Sequence, residues 1–193
     1  MTRPVRGVDV LIIACQAAMA VTGLAWVVHG QFAFAAVATV ALVLSLIPSR
    51  CIAQPELRDA VRGVSAILLA AHIVLGMGFA LYETSNVYDK VMHLIGFGAI
   101  TVLLLLAADL YDRQRAQALP TGLIAYLALG GAISAGTAWE LFEFSVDLTG
   151  WFIAQRGLED TMLDLAADSV GAVLVVLIFL AVRRVDEALF ARG

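Results

Sequence analysis

Three aspartates, Asp160, Asp164 and Asp168, stand four residues apart at the start of an apolar stretch in the last third of the chain. Steps of four residues place side chains on one face of a helix, with roughly 40° of drift per step. The stretch from Thr161 to Val182 is long enough to span a bilayer. A carboxylate inside a bilayer is unfavourable unless it meets a cation, a proton or a partner. The acidic stripe therefore predicts a functional site within the membrane.

Two further apolar segments carry residues of the same chemical kind. Asp89 and His93 are separated by four residues, and Glu140 and Glu143 by three. Carboxylates together with one imidazole suit Mg²⁺, Mn²⁺, Zn²⁺ or Fe²⁺, and these spacings on packed helices are how metal sites are built in helical bundles. The sequence therefore predicts a site for one or two divalent metal ions. The expected metal ligands are His93, Glu143, Asp160, Asp164 and Asp168.

A metal-dependent hydrolase is the leading functional hypothesis for this site. Metal ions make bound water more acidic and neutralise developing oxyanion charge. Glu140 is expected to be the general base. Asp89 is expected to orient His93, as carboxylates do for metal-bound imidazoles. The substrate would be a membrane lipid or a lipid-linked molecule of the cell envelope.

Two other classes of function use the same residues. The acids could form a cation or proton path in a transporter or channel. The cytoplasmic half has no matching acidic stripe, however, and six helices without a repeat give no alternating-access symmetry unless a homo-oligomer supplies both. Alternatively, the acids could capture a cationic ligand in a non-catalytic envelope protein. A metal with an open coordination position favours the enzyme, and a hydrated path to the cytoplasm favours transport.

Other polar residues in apolar segments have structural interpretations. His72 stands alone in the middle of an apolar segment and is expected to be a packed, hydrogen-bonded core residue. Asp109 and Asp112, next to Arg113, are typical of a solvated helix end. Cys15 and Cys51 fit neither a disulfide nor a metal motif and are expected to be free thiols.

The composition describes an integral membrane protein. Of the 193 residues 62% are hydrophobic and the mean hydropathy is +0.93, far above a soluble domain. A net charge of −4 without a Lys/Arg run argues against nucleic-acid binding. We therefore predict an all-α, polytopic membrane protein in which residues 1–193 form a single domain, a compact bundle of six transmembrane helices. The predicted spans are about Val10–His29, Phe32–Ile47, Val61–Leu81, Val91–Leu110, Thr121–Phe144 and Thr161–Val182; the motif-bearing helices cover about 88–110, 121–147 and 160–184.

The distribution of basic residues predicts the orientation. Cytoplasmic loops of membrane proteins are enriched in Lys and Arg. With both termini cytoplasmic, only Lys90 and Arg156 fall outside, and the acidic site faces the extracytoplasmic side. Ten basic residues then fall inside: Arg3, Arg6, Arg50, Arg58, Arg62, Arg113, Arg115, Arg183, Arg184 and Arg192.

Three sequence blocks, Tyr88–His93, Ala138–Phe144 and Glu159–Ala172, resemble the YjdF-type family of bacterial inner-membrane proteins. That family resembles the VanZ-like group, named for a glycopeptide-antibiotic resistance protein. The resemblance covers residues 85 to 180 and implies a location in the bacterial cytoplasmic membrane and a shared site, but no activity. Phe144 departs from the pattern, in which Trp follows the second Glu. The shared positions implied are Asp89, His93, Glu140, Glu143, Asp160, Asp164 and Asp168.

Overall fold

The computed structural model describes residues 7–85, 87–114, 118–150 and 153–190, and the regular structure within these ranges is helical, as predicted. The prolines at 48 and 55 each open a helix, as the fixed φ of proline favours. A π-helical segment, Ala71–Gly78, follows α4 directly. The α-helices are α1 (Gly7–Val28), α2 (Phe32–Leu46), α3 (Pro48–Cys51), α4 (Pro55–Ala70), α5 (Leu81–Thr84), α6 (Tyr88–Asp112), α7 (Thr121–Asp147) and α8 (Leu158–Phe190).

In the described part of the chain, five helical segments are long and apolar enough to cross a membrane. They are Gly7–Val28, Pro55–Gly78, Tyr88–Asp112, Thr121–Asp147 and Leu158–Arg184. Helix α2 is equally apolar but has only 15 residues, or about 22 Å of helix against a hydrocarbon core of about 30 Å. The polytopic membrane architecture is therefore supported. The sixth span and the orientation stay predictions, and four residues of the charge argument, Arg3, Arg6, Arg115 and Arg192, lie outside the described residues.

The distribution of side chains also fits a membrane protein. Small residues such as Ala128, Ala132 and Ala172 are buried between helices. Large aliphatic residues face outward along the same helices, as at Leu127, Leu177 and Ile178. Small residues let membrane helices approach closely, while apolar side chains face lipid.

The first of two compact units comprises the helices up to residue 89. Its core packs Met19 of α1 against Ala38 of α2 and Ile73 of the π-helical segment. His72 in that segment contacts the Tyr82 hydroxyl through Nδ1 at 2.6 Å. The Tyr82 ring fills the space where a side chain at Gly76 would lie. The prediction that His72 is a packed, hydrogen-bonded residue is confirmed.

The second unit comprises residues 90–193, with helices α6, α7 and α8. Leu105 of α6 packs against Ile124 and Ala128 of α7. A Cβ on Gly171 of α8 would overlap the carbonyl oxygen of Leu94 in α6, so only glycine permits this approach. The close packing brings the beginning of α6, the end of α7 and the beginning of α8 to one end of the unit. All the candidate site residues from His93 onward lie at that end.

Candidate functional site

His93 lies at the centre of the site, one turn into α6, with only 6% of its surface exposed. Its Nδ1 lies 2.9 Å from Asp168 Oδ1 of α8. When Asp168 is ionised it can only accept this hydrogen bond, and Nδ1 then carries the proton. The ring also stacks on Phe97, one turn further along α6. Both contacts fix the plane of the imidazole and direct Nε2 away from Asp168.

The aspartate stripe of α8 follows its predicted face and becomes more buried along the helix. Asp160 in the first turn is half-buried, whereas Asp164 and Asp168 are each 2% exposed. A Cβ on Gly136 of α7 would overlap Asp168 Oδ2. The missing side chain at Gly136 therefore makes the room in which the Asp168 carboxylate lies.

Glu140 of α7 completes the buried part of the site and is 4% exposed. Glu140 Oε1 and Asp168 Oδ2 are buried and have no hydrogen-bond partner among the residues that the structure describes. A buried carboxylate oxygen without a partner is energetically unfavourable. These two oxygens identify the places in the site where a cation, a proton or a water molecule would be stabilising.

Two carboxylates surround the second nitrogen of His93. Nε2 lies 3.8 Å from Asp164 Oδ1 and 3.9 Å from Glu140 Oε1. Both separations exceed hydrogen-bonding distance. An imidazole nitrogen and two carboxylate oxygens thus converge on one small volume without bonding to each other, which is the geometry of a site for a cation or a shared proton.

Lys90, three residues before His93 in α6, contributes the cationic side chain of the site. Its ammonium donates hydrogen bonds to Asp160 Oδ1 at 2.5 Å and to Asp164 Oδ2 at 2.8 Å. Four carboxylates, those of Glu140, Asp160, Asp164 and Asp168, therefore surround one lysine and one histidine. Arg156 also lies near Asp160, to which its backbone amide donates a hydrogen bond. The acids stay in excess even when the imidazole is protonated.

Two predicted residues lie at the margin of this arrangement. Glu143 is half-buried, and its Oε1 accepts a hydrogen bond from the Trp139 indole at 2.8 Å, one turn earlier in α7. Asp89 is half-buried in the first turn of α6, with a carboxylate oxygen within 4.8 Å of a His93 ring nitrogen. Asp168 makes a hydrogen bond that orients His93, and the orienting role expected of Asp89 stays a prediction.

Gln155, in the loop before α8, is a site residue that the sequence did not indicate. Its side-chain amide donates a hydrogen bond to the carbonyl oxygen of Glu140 at 3.2 Å. Asp147, at the end of α7, holds the loop by accepting hydrogen bonds from the backbone amides of Ala154 and Gln155. A neutral residue in a loop carries no periodic signal. The Lys90–Asp164 pair was also missed, although Lys90 and His93 share a helix face at a spacing of three.

These features define the class of protein: a polytopic α-helical membrane protein with a buried cluster of acids and one histidine. The family model described as "Predicted membrane protein (DUF2238)" matches residues 8–185, and the chain belongs to this family. An uncharacterized protein of Thermotoga maritima is 34% identical over 101 residues, 52% of this chain and 51% of the relative. The chain thus spans about half the length of this curated relative. No solved structure matches the chain.

The family match agrees with the resemblance to the YjdF-type family of membrane proteins of unknown function. It reaches further along the chain than that resemblance, because it begins at residue 8 and includes the helices before α6. The relation to the VanZ-like group stays a prediction.

Proposed function

We propose that this protein binds a divalent metal ion at His93 and Asp164, beside Glu140, and uses it to hydrolyse a lipid or envelope substrate. The proposal is supported by the different contacts of the two ring nitrogens of His93. Nδ1 is bonded to Asp168, while Nε2 faces Asp164 and Glu140 at 3.8 and 3.9 Å. Neighbouring ligands of tetrahedral zinc lie about 3.4 Å apart, given bonds of about 2.0–2.1 Å. The two measured separations, from Nε2 to each carboxylate oxygen, are within about half an ångström of that value.

The proposed roles follow from these contacts. His93 Nε2 and Asp164 Oδ1 are the ligands, and Asp168 fixes the tautomer and plane of the imidazole, a common arrangement at metal sites. Glu140 Oε1 accepts the proton of the attacking water, because it is buried and faces the same volume. When bound at His93 and Asp164, a metal would supply polarisation of that water and compensation of the transition-state charge. Glu143 and Asp160 remain candidate ligands at the margin of the site. Asp89 remains a candidate for orienting His93 in addition to Asp168.

The two histidines provide the test for the metal. Protein purified in mild detergent should contain a stoichiometric Mg, Mn, Zn or Fe ion by elemental analysis. His93→Gln should lose that ion. His72→Gln should retain it, because His72 contacts Tyr82 through its Nδ1. Equal metal content in the two variants, or no metal in the parent after incubation with each ion, would show that the proposal is wrong.

We also propose that the site lies on the extracytoplasmic side of the bacterial inner membrane, with α2 as a sixth crossing and both termini cytoplasmic. The ten-to-two division of basic residues supports this orientation. Reporter fusions after residue 193 and within residues 53–59 should report cytoplasm, and a fusion near Gln155 should report the outside. An external signal from the first fusion would reverse the orientation of the site.

The substrate proposal depends on this location. A site at the outer end of α6, α7 and α8 is within reach of lipid headgroups and lipid-linked envelope molecules, and the proposed relation to the VanZ-like group agrees with an envelope role. We also propose that the protein is a homo-oligomer, which light scattering in detergent would test. Incubating the metal-loaded protein with a panel of phospholipids and lipid-linked glycans should yield a hydrolysis product by mass spectrometry.

A cation or proton path is the second candidate function. A series of polar side chains runs from Lys90 to Asp164 and, across a separation of 3.8 Å, to His93 and Asp168. Such a series can relay protons along a membrane helix bundle. Flux of protons or divalent ions into proteoliposomes, abolished by Asp164→Asn and without lipid turnover, would favour transport over hydrolysis. Metal binding without turnover or flux would favour a non-catalytic binding protein.

A further inference from the structure

Lys90 is the one lysine in the 193-residue sequence, and its ammonium lies among the acids of the site. Its side chain is 22% exposed, whereas that of Asp164 is 2% exposed. Lys90 therefore bridges the accessible edge of the site, at Asp160, and its buried interior, at Asp164.

Asp164 is the residue that Lys90 and the proposed metal have in common. Both of its oxygens lie 2.8 Å from Lys90 Nζ, and one of them, Oδ1, also lies 3.8 Å from His93 Nε2. An ammonium and a divalent ion on the same carboxylate repel each other within a few ångströms, where solvent screening is weak. The charge of Asp164 can compensate only one of them fully.

We propose that Lys90 is a built-in counter-ion that competes with the divalent metal for Asp164, so that metal binding releases the ammonium toward Asp160 and the accessible edge of the site. This inference rests on the metal binding proposed above and adds a regulatory element to it. Lys90 compensates part of the acidic charge when no metal is bound. It also excludes monovalent cations, which cannot outcompete a tethered ammonium.

The chemistry of a single lysine provides a direct test on the unmodified protein. Purified full-length protein is treated with an amine-acylating reagent at fixed pH, with and without Mn²⁺ or Zn²⁺, and acylation of Lys90 is followed by mass spectrometry. Metal binding should increase the acylation rate several-fold, because the ammonium leaves Asp164. In Asp164→Asn, which lacks the shared carboxylate, the same metal should leave the rate unchanged.

The affinity of the metal provides the second test. Lys90→Met removes the competing charge and keeps the aliphatic stem, so the apparent metal dissociation constant should fall by about tenfold or more. Arg113→Met is the matched control at the other end of α6 and should bind metal like the parent. The acylation experiment stands by itself if Lys90→Met does not fold.

The outcomes separate this inference from the proposed function. If the parent binds metal while neither the acylation rate nor the affinity of Lys90→Met changes, Lys90 does not compete, although the metal site stands. If neither protein binds metal, both proposals are wrong. Faster acylation in the parent with metal, absent in Asp164→Asn, supports the competition.

Discussion

The two ends of the α6–α8 unit contain the same kinds of residue in opposite arrangements. At one end, Asp109 of α6 accepts hydrogen bonds from Arg113, directly after that helix, and from Arg183 of α8. Both arginines are exposed, 71% and 41%, so two solvated cations surround one carboxylate. At the other end, four carboxylates share Lys90 and His93, and three of those acids are almost completely buried.

The comparison shows that burial and charge balance, rather than residue type, identify the functional site. An exposed ion pair contributes about 0–1 kcal/mol and needs no further explanation. Buried carboxylates in excess of their cations are unfavourable and persist only with a compensating ion, proton or partner. Substitutions at the two ends should therefore have very different effects on metal binding and on stability.

The largest effect is expected from Asp164→Asn compared with Asp109→Asn. Asp164→Asn should abolish stoichiometric metal binding and the thermal stabilisation that added metal gives, which is about 2.7 kcal/mol at one hundred times the dissociation constant. Asp109→Asn should retain both. Elemental analysis and thermal unfolding with and without metal measure these effects. Unchanged metal content in Asp164→Asn, with higher stability than the parent, would show that Asp164 is not a ligand and that its buried charge is compensated by a proton instead.

Glu140→Gln should lower turnover by about 10²–10⁴-fold while metal stays bound, because Gln keeps the shape of Glu and cannot take up the proton. Glu159→Gln, an exposed acid in the first turn of α8, is the control and should resemble the parent. Rates on the identified lipid substrate and metal content are measured side by side. Loss of metal from Glu140→Gln would make Glu140 a ligand. Unchanged hydrolysis would remove it from the mechanism.

A moderate effect is expected at Gly136, which makes room for Asp168. Gly136→Ala should lower stability by about 1–3 kcal/mol, because the added methyl group overlaps the carboxylate and either helix must shift. Gly130→Ala in the same helix is the matched control, since a Cβ there meets nothing within 4 Å. It should be neutral or slightly stabilising. Equal thermal shifts in the two variants would show that Asp168 is not closely packed against α7.

Much of this end of the molecule could be predicted from the sequence. The i, i+4 spacing of Asp164 and Asp168 fixes their common face in any helix, and apolar surroundings indicate burial. His93 was identified for the same reason. Local spacing also distinguishes His72 from the site residues, because no acids lie on the neighbouring turns of its helix. In the structure, His72 contacts the Tyr82 hydroxyl.

The partners across helices could not be predicted, because they depend on how each helix is rotated about its axis. The sequence does not show that Nδ1 of His93 contacts Asp168 while Nε2 faces Asp164 and Glu140. Nor does it show that Glu143, three residues after Glu140, is held by Trp139. The close approach at Gly171 helps to set these rotations, and its partner, the backbone at Leu94, has no signature in the sequence.

The smallest effect is expected at the arginine end itself. Arg113→Gln removes one of the two cations on Asp109, but Arg183 remains 2.8 Å from the carboxylate and lies over the Phe179 ring. Because Arg113 is largely exposed, stability should change by less than about 1 kcal/mol, and less still at high salt. Thermal unfolding at two salt concentrations measures this, with Lys90→Gln as the counterpart at the other end. Lys90→Gln should change stability more, with little salt dependence, since its partner Asp164 is buried. Equal, salt-sensitive shifts in both variants would mean that the two ends do not differ electrostatically, and the case for a functional site at the acidic end would lose its main support.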